Sequence, residues 1–322
     1  MTIMTFPLQH PRPFHLLTWL NAGIGVAMLI WNITTGSLPM GFQIGYFTTM
    51  IAVTGIPHGA LDHVIARVND KHQNKRFSMI QFLVKYLLAM SLYAMCWIGF
   101  PSISLLIFLI ISAWHFGETD IANVFNNLAW NVSRLLWGCF VLLLILLTHQ
   151  QESIDIISRI THYESGTQQV IRFFTTNASQ VLIGLGISSC VLIGYCFMTH
   201  KNMFSGYAML NLALILFLCI ELPLLPSFAL YFGGWHSIRS FELIFKYLQV
   251  EQGNERLRPA TLWLRSIPMT LLAALFFIAA AYAWSFTEMK GDPLPIVFIF
   301  LSVITLPHLD VMDKMIKRST TS

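Results

Sequence analysis

The sequence predicts an all-α protein, a polytopic membrane bundle of about eight to ten transmembrane helices forming one domain over 1–322. Of the 322 residues, 56% are hydrophobic and only 11% are charged, whereas soluble domains carry about 25% charged residues. Apolar stretches of bilayer length recur along the whole chain, and Lys and Arg collect in alternate connections between them. The chain has no basic stripe of the kind that binds nucleic acid, so we expect a lipid bilayer as its surroundings.

The apolar stretches define the predicted helices. A spanning helix needs about 20 mostly apolar residues. The stretches near that length cover residues 15–34, 43–66, 79–99, 101–122, 131–148, 178–199, 204–223, 227–248, 262–285 and 293–314. The third and fourth nearly touch at Gly99–Pro101, and the seventh and eighth at Pro223–Pro226, so each pair is expected to form a tight hairpin. The longest connection, about 149–177, has mixed charge and is predicted as a loop.

The positions of the basic residues predict the orientation of the bundle. Lys and Arg concentrate in short cytoplasmic loops of membrane proteins. With the N-terminus inside and ten helices threaded in turn, 14 of the 19 Lys and Arg residues face the cytoplasm, 3 face outward and 2 lie within segments. This distribution predicts an N-in, C-in multi-pass protein of the cytoplasmic membrane.

Four of the 11 histidines interrupt apolar segments: His58, His115, His236 and His308. All four lie in even-numbered segments, which run in the same direction across the bilayer. His58, His115 and His308 each follow the start of their segment by about 15 residues, a depth of roughly 20 Å at 1.5 Å per residue. His236 is somewhat shallower. We therefore expect the four rings to converge at one level in the cytoplasmic half of the membrane.

This layer of histidines predicts a shared metal site. A single intramembrane histidine is more often a hydrogen-bonding partner between helices, but four at matched depth favour a common ligand. An all-imidazole site suits Fe, Cu, Zn or Ni. No cysteine lies near these histidines in the sequence, so thiolate chemistry is not expected.

Nearby acidic residues are candidates for orienting the histidines. Metal-bound histidines usually bond a carboxylate or carbonyl through their second nitrogen. Asp62 and Glu118 follow His58 and His115 by about one helical turn and are predicted to serve this role. Arg239, buried within a segment, is predicted to pair with Asp62 or Glu118. The alternative for Glu118, as for Asp120 and Asp313, is a solvated helix end.

Aromatic and small residues flank the same histidines. Such residues could form a pocket for a long conjugated hydrocarbon beside the metal, or could serve ordinary helix packing. The predicted pocket residues are Trp114, Trp235, Phe116, Gly59 and Gly234.

Four motifs, "PHGALDH", "WHFGETD", "YFGGWHSIR" and "LPHLDV", together resemble the Brp/Blh family of bacterial and archaeal β-carotene 15,15′-dioxygenases. The resemblance runs from about residue 45 to the C-terminus. It implies a multi-spanning membrane enzyme that uses a histidine-bound, non-haem Fe(II) and O₂ to cleave the central double bond of β-carotene. The products would be two molecules of all-trans-retinal, with a microbial rhodopsin as their acceptor. Carried over residue by residue, the resemblance makes His58, His115 and His236 iron ligands.

The sequence departs from the family pattern at Ser240. The family reads Trp-His-Ser-x-Arg-His, with a second histidine where this chain reads "WHSIRS". His308 or His63 could complete the site, or three histidines and water could hold the iron, or the activity could be altered.

The sequence leaves rival functions open. The main one is a carotenoid- or retinal-binding relative that performs no cleavage, and a less favoured one is an ion transporter. A membrane di-iron desaturase is disfavoured because the chain lacks the paired histidine boxes of those enzymes.

Overall fold

The computed structural model describes residues 12–122, 127–199, 206–252, 257–286 and 294–321. Within these ranges the regular structure is helical and contains no strand, which confirms the all-α prediction. The α-helices are α1 (Arg12–Thr35), α2 (Met40–Met50), α3 (Ile56–Gly59), α4 (Asp62–His72), α5 (Met79–Gly99), α6 (Pro101–Asp120), α7 (Leu128–Thr148), α8 (Gln150–Ile160), α9 (Ser165–Thr176), α10 (Ala178–Thr199), α11 (Gly206–Glu221), α12 (Leu224–Tyr231), α13 (Ser237–Gln252), α14 (Pro259–Trp284) and α15 (Leu294–Thr321).

Seven helices of the described chain are long and apolar enough to cross a membrane: α1, α5, α6, α7, α10, α14 and α15. This confirms a multi-pass membrane protein. Of the other three predicted spans, the one at 204–223 corresponds to α11, which is apolar but shorter. The spans predicted at 43–66 and 227–248 are each divided into several helices. The N-in, C-in orientation stays a prediction.

The two divided spans each contain a π-helical turn, at Ile51–Gly55 and at Phe232–His236. In the first span, Pro57 has no N–H to donate to the carbonyl of Val53, one turn earlier. The indole Nε1 of Trp263 on α14 donates to that carbonyl instead, at 2.9 Å. π-helical turns are rare and often occur at functional sites, and these two adjoin the motifs of His58 and His236.

The two π-helical turns pack against each other because glycine leaves room for the contact. A Cβ added to Gly233 would lie 3.2 Å from Oγ1 of Thr54 in the first turn, and one added to Gly234 would lie 1.9 Å from Oδ1 of Asn21 on α1. A larger residue at Gly234 would therefore displace the Asn21 side chain, which donates to the carbonyl oxygen of Leu230.

Helices α6 and α7 approach each other closely through a reciprocal pair of glycines. A Cβ on Gly117 would lie 1.8 Å from the carbonyl oxygen of Arg134, and a Cβ on Gly138 would lie 1.6 Å from that of Ala113. Small residues permit such backbone contacts between membrane helices. This contact fixes the face of α6 that carries His115.

The connection 149–177 is not a loop, which corrects the prediction. It forms α8 and α9, both amphipathic helices with mixed polar and apolar residues. Ile156 and Ile160 of α8 are buried in the main hydrophobic core. Both helices are too short and too polar to resemble a membrane span, and burial of the apolar side of α8 stabilises that helix.

Candidate metal centre

The four intramembrane histidines lie together. His58, His115, His236 and His308 come from four separate elements and are at most 5% exposed. Ring centroids are 4.7 Å apart for His115 and His236, 4.9 Å for His115 and His308, and 4.9 Å for His58 and His308. The predicted convergence of the four rings is therefore present in the fold.

Three of these rings present nitrogens to one point. One nitrogen each of His58, His115 and His236 lies within 4.8 Å of the corresponding atoms of the other two. Two nitrogens bound to one ion at about 2.1 Å each can be at most about 4.2 Å apart. The rings therefore need to move only slightly inward to share an ion.

Five ring nitrogens of this cluster lack partners within the described chain. Both nitrogens of His115, both of His236 and Nε2 of His308 are buried and form no hydrogen bond there. Leaving one buried polar group unpaired costs about 1–3 kcal/mol. A cation that accepts a lone pair from each ring would remove much of this cost, so the residues present fit a histidine-bound metal.

His308 is oriented by a carboxylate. Its Nδ1 donates to Oδ1 of Asp62 at 2.8 Å, and the hydroxyl of Tyr86 donates to Oδ2 of the same carboxylate at 2.9 Å. With its Nδ1 engaged by Asp62, the ring of His308 has its second nitrogen, Nε2, available to a ligand. His58 has a weaker anchor, since its Nδ1 lies 3.3 Å from the carbonyl oxygen of Thr54.

The other fourth-ligand candidate is His63, and neither it nor His308 belongs to the group of three converging histidines. His63 is half-buried, and its Nδ1 lies 2.9 Å from the carbonyl oxygen of Ala60. Ser240 is completely buried one turn after His236, and its hydroxyl has no hydrogen-bond partner in the described chain. Of the two histidine candidates, His308 is the one whose ring contacts the cluster, with its centroid 4.9 Å from those of His58 and His115.

The predicted roles of Asp62, Glu118 and Arg239 need correction. Asp62 serves His308 instead of His58, because the four-residue α3 ends and the chain turns before Asp62. Glu118 is buried but forms no hydrogen bond to a described histidine, and its main attractive charge partner is Arg134. Arg239 donates to Glu242 at 2.5 Å, and neither Asp62 nor Glu118 pairs with it.

An apolar cavity reaches the histidines from one side. Its volume is about 180 Å³. His58, His115 and His308 line it, while His236 lies behind them. The rest of the wall comes mainly from apolar residues of α5, α6, α7, α8, α14 and α15.

Two of the five predicted pocket residues, Gly59 and Phe116, line this cavity. Trp114, Trp235 and Gly234 do not, which corrects that expectation. Gly234 serves the contact with Asn21, and the Trp235 indole points to Asp120.

Sequence reasoning missed two residues near the centre. Tyr86 stands on α5, outside every motif, and no local signal marks it. Asp120 was considered as a solvated helix end, yet it is half-buried and accepts three hydrogen bonds from Trp137, Tyr231 and Trp235. Its place at the end of "WHFGETD", five residues after His115, was the available signal.

Comparison with known proteins agrees with this site. The model of the family described as beta-carotene 15,15′-dioxygenase matches residues 49–316, which include all four clustered histidines. A protein from uncultured marine bacterium 66A03, named beta-carotene 15,15′-dioxygenase, is 27% identical over 266 residues, covering 82% of this chain and 90% of that protein. No solved structure shows a significant match to the chain. The chain belongs to the beta-carotene 15,15′-dioxygenase family.

Proposed function

We propose that this protein cleaves the central double bond of β-carotene with O₂ inside the membrane and forms two molecules of all-trans-retinal. One oxygen atom goes to each of the two central carbons, so the reaction needs no external reductant. Family membership supports the reaction class. The observation that carries the proposal is a buried group of histidines with unpaired nitrogens at the wall of an apolar cavity.

In this proposal His58, His115, His236 and His308 hold Fe(II). Bound Fe(II) would supply the activation of O₂, which side chains alone do not provide. Asp62 keeps Nδ1 of His308 protonated, so that Nε2 faces the cluster. Four neutral imidazoles and one nearby carboxylate leave a net positive charge on the loaded site. Tyr86 offsets part of the burial cost of Asp62 by donating to it.

The cavity gives a polyene a place beside three of the histidines. Aromatic rings continue its wall: Phe228 stacks on Phe232 at 5.3 Å, and Phe232 stacks on the ring of His236 at 5.7 Å. Flat apolar surfaces of this kind bind a conjugated chain and exclude water. Holding the central double bond against the site would decide which bond breaks.

The substrate would come from the lipid phase, because β-carotene does not leave the membrane. Helices α5 and α14 form the outer wall of the cavity through residues such as Leu87 and Leu272. Phe276 of α14 lines the cavity and is also 44% exposed on the surface of the bundle. This thin wall supports a lateral opening between α5 and α14.

We also propose that the chain is a single membrane domain, N-in and C-in, in the cytoplasmic membrane. The charge distribution of the loops supports the orientation. A microbial rhodopsin as acceptor of the retinal is supported by the family resemblance alone.

The test of this function is pigment analysis of a β-carotene-accumulating strain that expresses the chain. Retinal should appear as β-carotene disappears, and His58→Ala, His115→Ala and His236→Ala should each abolish retinal formation. Apocarotenals of other lengths would show that a different double bond is cleaved. Unchanged pigment, with the protein present in the membrane, would contradict the proposal.

A second candidate function is binding of a carotenoid or retinal without cleavage. The observation that favours it is Ser240 in the place of the usual family histidine. It predicts carotenoid that copurifies intact with the protein and no retinal under aerobic conditions.

A further inference from the structure

Asp120 is the hub of a hydrogen-bond network beside the histidine cluster. Its Oδ1 accepts from Nε1 of Trp235 at 2.7 Å. Its Oδ2 accepts from the hydroxyl of Tyr231 at 2.9 Å and from Nε1 of Trp137 at 2.9 Å. Three donors from three elements therefore meet on one carboxylate. Hydrogen bonds to a charged acceptor are stronger than those between neutral groups.

The network joins the two elements that carry His115 and His236. Asp120 is the last residue of α6, five residues after His115. Trp235 immediately precedes His236 within the π-helical turn Phe232–His236. The bond between Asp120 and Trp235 is thus a direct link between these two elements, next to rings whose centroids are 4.7 Å apart.

The π-helical turn needs such a link. A π-helical turn is less favourable than regular α-helix and persists where tertiary contacts hold it. Trp235 is 3% exposed, and the guanidinium of Arg239 lies 5.8 Å from the centroid of its ring. Arg239 in turn donates to Glu242. The indole is therefore held by Asp120 at its Nε1 and by the guanidinium of Arg239 over its ring.

We infer that Asp120 is a positioning residue that holds Trp235, and through it His236, in register with His115. The inference rests on the proposed role of His236 as a metal ligand. The chemistry requires a carboxylate at residue 120, because two acceptor oxygens serve the three donors. An asparagine offers one acceptor oxygen and turns an NH₂ group toward donors, so it cannot replace all three bonds.

Two variants test this inference: Asp120→Asn, which is nearly isosteric, and Trp235→Phe, which keeps an aromatic ring but removes the Nε1 donor. The matched control is Trp97→Phe. Trp97 is 5% exposed and its Nε1 donates to Ser302 at 2.7 Å, the same length as the Trp235 bond, but it adjoins no clustered histidine in sequence. The readouts are the rate of Fe(II) release to a chelator and amide hydrogen exchange over residues 232–237, both measured well below the melting temperature.

Both test variants should release Fe(II) roughly tenfold faster, as is usual when the support of a metal ligand is lost. Their amides at 232–237 should exchange faster, while Trp97→Phe should behave like the unmodified protein on both readouts. Release and exchange no faster than in Trp97→Phe would overturn the inference, even if melting temperatures fall. If the unmodified protein holds no Fe(II), the proposed function fails, and the exchange measurement alone still decides whether Asp120 holds the turn.

Discussion

Nδ1 of His308 donates a 2.8 Å hydrogen bond to Oδ1 of Asp62, across 246 positions of the sequence. This bond ties the last helix of the chain to the turn that follows His58. It leaves Nε2 of His308 buried, without a partner in the described chain, beside the rings of His58 and His115.

His308→Ala is expected to lower iron retention by tenfold or more, because it removes the fourth imidazole of the proposed site. His63→Ala is the matched control, since His63 lines the same cavity but is only half-buried and has its Nδ1 at the carbonyl oxygen of Ala60. Metal analysis of the purified proteins checks this prediction. Equal iron in His308→Ala and the unmodified protein, with a loss in His63→Ala, would reverse the assignment.

Asp62→Ala is expected to weaken Fe(II) affinity about 10–100-fold, the usual effect of losing a group that orients a metal ligand. Asp62→Asn should cost less, because the amide oxygen can still accept from His308. Tyr86→Phe should have a smaller effect again, since it touches the site only through Asp62. Asp310→Asn on the exposed side of α15 serves as control. A chelator titration ranks the Fe(II) affinities of the variants. A loss of affinity in Asp310→Asn as large as that in Asp62→Ala would contradict the prediction.

Ser240→His is expected to add no iron and no activity if His308 already completes the site. Ser240 is completely buried, so an imidazole there must displace its neighbours, at a cost of about 1–3 kcal/mol. Thermal melting and iron content measure the two effects, with Ser240→Ala as the variant that introduces no bulk. A gain in iron or retinal yield in Ser240→His would show that the site lacks a ligand.

Gly117→Ala and Gly138→Ala are expected to lower the melting temperature and the iron content together. Each added methyl group would lie within 2 Å of a backbone carbonyl oxygen on the facing helix, so α6 and α7 must separate. Gly184→Ala on α10 meets nothing within 4 Å and is the control. Normal iron content in both test variants would mean that the contact between α6 and α7 does not hold His115 in place.

Ala273→Trp is expected to reduce carotene cleavage while leaving the iron content unchanged. Ala273 lines the cavity on α14, and an indole there would fill space beside the proposed lateral opening. Ala279→Trp places the same group on the exposed side of that helix. The rates of retinal formation by the two variants are compared at equal iron content. Equal rates would mean that the substrate does not pass through this part of the cavity.

The sequence was sufficient to predict the bundle and the meeting of the four histidines. Hydrophobic length marks spanning helices directly, and counting residues from each helix start placed His58, His115 and His308 at similar depth. Both signals are local and need no knowledge of packing. The Ser240 departure was also visible in the sequence, and it directed attention to His308 and His63.

The partners of the histidines were not predictable in the same way. Asp62 was assigned to His58 by helical spacing, but the break after Gly59 turns it toward His308 on the last helix. The π-helical turns, the hydrogen bond from Tyr86 to Asp62 and the three hydrogen bonds accepted by Asp120 all depend on how distant helices pack. Such contacts produce no periodic pattern of residues that a single sequence could show.

Iron-dependent cleavage is tested most directly with purified protein in vesicles that contain β-carotene, with Fe(II) added to one sample and a chelator to another. We expect two molecules of all-trans-retinal for each β-carotene consumed, only in the Fe(II) sample and only with O₂ present. Retinal formation that continues in the presence of the chelator, or β-carotene that remains intact beside fully Fe(II)-loaded protein, would contradict iron-dependent cleavage.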